Sequence, residues 1–253
     1  ELRAFLDAHG PRTMVRVGNK VALGALAHVA GAPVVLLEGG RKSFEGLSSL
    51  PASVKRLSIG KQAKPFSLAA LAQATSLEQL ELDVPATSEP TPMPSLRTLG
   101  WTGMGDEAAP FLAAQPKLCE LGVRKSVISR LPASASLERL ILWAPTKLAS
   151  LVGIGGLPSL RFLRIDSPKG MARLGSLAEA HALDTILLVC PHAIKDLSEL
   201  GSAPKLQMLG LIRAQLDEKP FLSLKGKLTG GSFQLKTTQA GKRLFEHLGV
   251  PYK

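Results

Sequence analysis

The chain has 253 residues, is 45% hydrophobic and only 4% aromatic, and carries a formal net charge of +11. That is ample for a core of aliphatic side chains, in one extended domain or two compact ones. No apolar run approaches the ~20 residues of a membrane span, and Cys119 and Cys190 form no metal or redox motif, so membrane-spanning, metal-finger and disulfide-framework classes are set aside.

Taken in order, Leu2 to His9 has helical spacing and stops at Gly10-Pro11. Met14 to Val17 reads as a short strand, Val21 to Ala30 as an Ala/Leu-rich helix, and Pro33 to Leu37 as a second buried strand. From Val54 a phrase L-x-x-L-x-L recurs. Its first apolar position falls at Val54, Leu77, Leu96, Leu118, Leu137, Leu160, Leu183 and Leu206, with spacings of 23, 19, 22, 19, 23, 23 and 23 residues. The fourth position holds Leu57, Leu80, Leu99, Leu121, Leu140, Leu163, Ile186 and Leu209. The sixth holds Ile59, Leu82, Trp101, Val123, Leu142, Ile165, Leu188 and Leu211. Leu228 and Phe233 form a degraded last copy.

The x-L-x-L part alternates with period 2, the signature of a strand. The rest of each unit carries helix-spaced apolar residues, such as Phe66, Leu68, Leu71 and Ala72, or Ile194, Leu197 and Leu200. One strand and one short helical turn cannot bury an apolar side alone, whereas stacked units can. Over Val54 to Ile212 the chain resembles the leucine-rich repeat family, in an irregular form of bacterial appearance. The resemblance implies an α/β fold: a right-handed curved solenoid with a parallel sheet on its concave face and short helices or turns on its convex face. The family's usual Asn at the ninth position is missing. Gln62, Pro85, Met104, Ser126, Pro145, Pro168, Pro191 and Ala214 stand there, and the prolines end strands by lacking an N–H. The expected division is an N-terminal cap or irregular repeats over 1–53, regular repeats over 54–218 and a C-terminal cap over 219–253, in one continuous domain. Glu89 to Pro94 is expected to be a rigid surface turn.

Charge is uneven along the chain. Residues 1–64 hold 10 Lys/Arg against 4 Asp/Glu, 219–253 hold 7 against 1, and 65–218 hold 14 against 15. A groove for a phosphate backbone would put cations along the repeats, so nucleic acid is not expected on the concave face. The basic ends remain a route to nucleic acid or an anionic surface.

Residues between and beside the strand leucines should point out of the sheet. In the early coils these are small and polar. In the later ones they include Ile141, Trp143, Phe162, Leu187, Val189, Met208 and Ile212, with Arg124, Arg139 and Arg164 among them. A sheet that faces water should be polar there; large apolar groups clustered with arginines mark an interaction site. These ten residues are the candidate partner-binding set, while Trp101 falls at an inward position. The partner expected is a protein with an acidic, partly apolar surface, in keeping with the chain's basicity.

No catalytic or metal-ligating constellation stands out. His9, His28, His181, His192 and His247 are not spaced as a metal pair. Gly39-Gly40-Arg41-Lys42-Ser43 and Gly153-Ile154-Gly155-Gly156 match neither phosphate-loop pattern and read as turns. Cys190 and His192, two residues apart at a turn, form no recognised nucleophile pair. The reading is a non-catalytic recognition scaffold without cofactor or metal, with an immunity or inhibitor protein as one concrete version. A binder of nucleic acid through the ends, and an enzyme with an unrecognised site, are the alternatives. Reduced cysteines and the lack of a secretory signal favour the cytoplasm, and a start at Glu1 rather than Met suggests that an upstream segment has been removed.

Overall fold

The computed structural model describes residues 13–29, 31–40, 44, 46–61, 66–83, 86–87, 89–194, 197–214, 219–235 and 238–250. The helix expected over Leu2 to His9, and Gln62 and Pro85, lie outside them. The chain divides into two compact units, Glu1–Leu121 and Gly122–Lys253.

In the first unit the strands are β1 (Met14–Val17), β2 (Val34–Leu37), β3 (Arg56–Ile59), β4 (Phe66–Ser67), β5 (Gln79–Leu82), β6 (Ala86–Thr87) and β7 (Thr98–Thr102). β1, β2, β3, β5 and β7 pair side by side, all parallel, and β4 pairs separately with β6. The return segments are mostly 3₁₀ helix. The helix expected over Val21 to Ala30 is a 3₁₀ helix at Leu23–Val29, and Leu68–Leu71 is another, with the Ala69 N–H donating to Ser67 Oγ at 3.2 Å. A 3₁₀ turn rises about 2.0 Å per residue against 1.5 Å for an α-helix, so it crosses the back of a short coil in fewer residues.

The proline-rich piece is more than a surface turn. Thr91 and Met93 are buried. Their backbone is held by the buried Gln115 amide, which accepts from the Met93 N–H at 2.9 Å and donates to the carbonyls of Thr91 at 2.9 Å and Phe111 at 2.7 Å. Prolines cannot supply ladder donors, and one side-chain amide holds the Met93 N–H and the Thr91 carbonyl. Trp101 is buried as its inward position implies, edge-on to Phe111 at 6.2 Å.

β8 (Glu120–Arg124) spans the point of division. The second unit continues with β9 (Arg139–Trp143), β10 (Phe162–Asp166), β11 (Thr185–Val189), β12 (Met208–Ala214) and β13 (Gly230–Leu235). β9 to β13 pair in chain order, all parallel, and Leu140, Leu163, Ile186 and Leu209 fall in register. The leucine framework is buried throughout. In the last copy, Leu228 and Phe233 are buried and Gly231 takes the fourth position, where a Cβ would come within 2.7 Å of the Phe233 ring. The helix Thr238–Leu248 packs there, with Phe245 4.6 Å from Phe233 between ring centres.

Two repeated backbone devices join neighbouring coils. At the entry to most strands of the main ladder, the second-position carbonyl accepts two N–H groups from the next coil. Glu138 O takes those of Arg161 and Phe162, and Arg161 O takes those of Asp184 and Thr185; Lys55 O and Glu78 O do the same in the first unit. The side chains at this position alternate in sign: Lys55, Glu78, Arg97 in one unit and Glu138, Arg161, Asp184 in the other. Lys55–Glu78 closes at 3.1 Å and Arg161–Asp184 at 2.9 Å.

At the exit, the eighth position is left-handed in every regular coil from β7 onward. Gly103 has φ 76°, and Lys125, Ala144, Ser167, Cys190 and Arg213 have φ between 47° and 54°. In a continuing strand the seventh and ninth residues would share a face. The left-handed residue turns the ninth inward instead, and Met104, Ser126, Pro145, Pro168, Pro191 and Ala214 are all buried. The turned N–H groups of Lys125, Ala144, Ser167 and Cys190 donate to the seventh-position carbonyl of the next coil at 2.7–2.8 Å. This ladder stands where the family's Asn would act. The buried Ser126 hydroxyl finds no hydrogen-bond partner there.

A left-handed conformation costs an L-residue roughly 1–2 kcal/mol, and glycine returns about 0.4–1 kcal/mol of that through its freer unfolded chain. Ala144→Gly is therefore expected to raise stability by about 0.5–1 kcal/mol, read as a higher urea midpoint with an unchanged slope.

Candidate interaction face

The outward residues of β9 to β12 form three rows. Pairing puts Arg139, Phe162, Thr185 and Met208 in the first, Ile141, Arg164, Leu187 and Gly210 in the second, and Trp143, Asp166, Val189 and Ile212 in the third. Arg124 ends β8 at the border. Arg124, Arg139 and Met208 are exposed, and Ile141, Trp143, Phe162, Arg164, Leu187, Val189 and Ile212 are half-buried. All ten candidate residues therefore lie on one sheet face of the second unit, over adjacent strands.

Several side chains lean toward the following strand. The Arg124 guanidinium stands 5.2 Å from the centre of the Trp143 ring, and that of Arg139 4.3 Å from the centre of Phe162. Both distances fit cation–π contact. Leu187 lies across Gly210, with its Cγ 3.6 Å from where a Cβ would be, and the Met208 sulfur is 2.7 Å from the Cβ position of Gly230. Glycine at these points gives the larger neighbours a bed, which flattens the face. The lean depends on the stagger of adjacent strands, and no sequence signal carries it.

The three arginines are not equivalent. Arg164 sits between Ile141 and Leu187, and its Nε and Nη2 donate to Asp166 at 2.9–3.2 Å. Asp166 is itself 8% exposed. The ion pair thus lies inside the apolar cluster and satisfies Arg164 from its own strand. Two opposite charges two residues apart on a strand share a face, so the spacing of Arg164 and Asp166 already implies this pair, and Arg164 is not a free cation of the face. Asp166→Ala is expected to cost about 1.5–3 kcal/mol, the usual worth of hydrogen bonds to a charged group, measured by urea unfolding.

The outward residues of the first unit have another character. Arg16 bridges Glu38 at 2.6 Å and Arg56 bridges Glu81 at 2.6 Å, beside Ser58, Gly60 and Gly100. Among the described residues no group of three or more His, Cys, Asp or Glu could hold a metal ion, and no helix is long and apolar enough to cross a membrane. Cys190 and His192 meet through the backbone, the His192 N–H donating to the Cys190 carbonyl at 2.9 Å.

No family model and no curated protein matches the chain. Solved structures do. An internalin, inlF, from Listeria monocytogenes aligns over 97% of this chain and 73% of its own, with a TM-score of 0.58 at 16% identity. The chain has a leucine-rich-repeat fold. A TLR13–ssRNA13 complex aligns over 98% of this chain, which spans about half of that one at 47%, with a TM-score of 0.45 and 14% identity.

Proposed function

We propose that this leucine-rich-repeat protein recognises another protein through the β9–β12 face and performs no chemistry itself. The supporting observation is the joining of Trp143, Phe162, Ile141, Leu187, Val189, Met208 and Ile212 with arginines on one solvent-facing sheet surface. Aromatic, Met and Arg side chains are enriched at interface centres, and a contiguous apolar surface on a soluble protein marks a contact. Repeats preset the surface, so little ordering entropy is lost on binding. The partner would offer an acidic, partly apolar surface; an immunity or inhibitor protein that plugs its target is one concrete form. Cys119 and Cys190 are unpaired thiols, in keeping with a reducing compartment such as the cytoplasm. Residues 219–253 would serve as the C-terminal cover of the repeats.

The test is affinity capture from the native source with the wild type and with Trp143→Ala/Phe162→Ala. The wild type is expected to retrieve a protein that the double variant loses. Equal recovery of the same proteins by both would defeat the proposal.

A further inference from the structure

The near-neutral sum over 65–218 conceals a sharp segregation of charge. Residues 122–178 hold nine Lys/Arg against two Asp/Glu, whereas 65–121 hold two against seven and 179–218 hold three against six. Within the basic stretch, Arg161 is held by Asp184 and Arg164 by Asp166. Lys125, Lys147 and Lys169 are exposed and make no ion pair among the described residues.

These lysines stand on the turns that leave β8, β9 and β10. Backbone bonds set the turns side by side: Lys125 N–H donates to Trp143 O at 2.7 Å, Thr146 N–H to Ser126 O at 3.0 Å, and Lys169 N–H to Pro145 O at 3.1 Å. Adjacent coils lie about 4.8 Å apart, within the ~8 Å screening length of physiological salt. The cations therefore line one edge as a staggered row, and an anionic partner would relieve their mutual repulsion. The row adjoins Trp143 and Asp166, the last residues of β9 and β10.

We infer that the edge formed by Lys125, Lys147 and Lys169 is a second contact site, and that it takes the carboxylates of an acidic polypeptide whose apolar side chains lie on the β9–β12 face. The inference rests on the protein-binding reading of that face. A single-stranded nucleic acid would share the charge. The polypeptide is favoured because the edge runs into aliphatic surface at Ile141, Leu187 and Val189. In addition, Trp143 and Phe162 each already carry a guanidinium over the ring, where a base would otherwise stack.

The probes are a random Glu-Tyr copolymer, poly-glutamate and oligothymidylate, titrated against the full chain with Trp143 fluorescence and calorimetry as readouts. The wild type is expected to bind the copolymer best. Lys125→Glu/Lys147→Glu/Lys169→Glu is expected to weaken it by about tenfold or more, as for charges rimming an interface, with an unchanged circular dichroism spectrum. A control of equal charge change, Lys20→Glu/Lys117→Glu/Lys205→Glu, is expected to bind nearly as the wild type. Equal losses in the two triple variants would reduce the effect to net charge and overturn the inference, as would tighter binding of oligothymidylate than of copolymer. Trp143→Ala/Phe162→Ala separates the two readings. If it erases the advantage of copolymer over poly-glutamate, face and edge act together. If it changes nothing while the lysine reversal still costs tenfold, the edge stands and the face reading fails.

Discussion

Leu163→Ala is expected to lower the free energy of unfolding by about 2–5 kcal/mol, whereas Ile141→Ala should cost about 1 kcal/mol or less. Both are aliphatic residues of neighbouring strands in the same unit, one position apart in register. Leu163 is 0% exposed and lies between Leu140 and Ile186. A methyl in its place leaves a cavity that flanking coils, tied by strand pairing on both sides, collapse into only in part. Ile141 is half-buried on the face, so its truncation removes partial burial and leaves an open notch. Urea midpoints at constant slope measure the difference. Equal losses would mean that the alternation of inward and outward residues along β9 and β10 is misassigned.

Trp143→Ala is expected to weaken partner binding by about 2 kcal/mol or more, a range typical of an interface centre and roughly 30-fold in affinity. It should leave stability within about 1 kcal/mol. Trp143 is half-buried and bears the Arg124 guanidinium at 5.2 Å, so its loss removes a large apolar contact and unseats a cation together. Trp143→Phe keeps a ring beneath Arg124 and is expected to retain most of the affinity. Titration against the protein captured by the wild type measures both. If Trp143→Ala binds as the wild type does, Trp143 is not the centre of the interface.

Much of the architecture was legible because leucines recur where strands need them. The alignment beginning at Val54 reproduces the register of strand pairing, so Arg139 meets Phe162 and Trp143 meets Asp166 as that alignment requires. The strand exits were not legible. Left-handed turns are usually announced by glycine, and only Gly103 announces one; Lys125, Ala144, Ser167, Cys190 and Arg213 adopt the same conformation without signal. There the demand to bury the ninth residue overrides local preference. The return segments were read as helix from apolar spacing, which does not separate α from 3₁₀ over four or five residues. The buried role of Gln115 was unreadable because its partners Thr91 and Met93 lie a whole coil away. On the candidate face, the rows and the shared side of Arg164 and Asp166 followed from the alignment, but the leaning of Arg124 and Arg139 over the next ring and the alignment of the lysine-bearing turns needed the geometry.

The alternating second-position side chains bear on how such a chain can change length. Each coil ends where the next begins with the same pair of backbone bonds, so the backbone would accept the excision of one 23-residue coil between Leu160 and Leu183. The charges would not. Glu138 would then face Asp184 in place of Arg161, turning an attractive step into a repulsive one, whereas loss of two coils would set Glu138 beside Gln207. Each step is worth only about 0.2–1 kcal/mol at an exposed site, but from Glu138 to Asp184 the sign reverses from coil to coil. Over that stretch the molecule carries a parity rule, under which two coils are lost more comfortably than one.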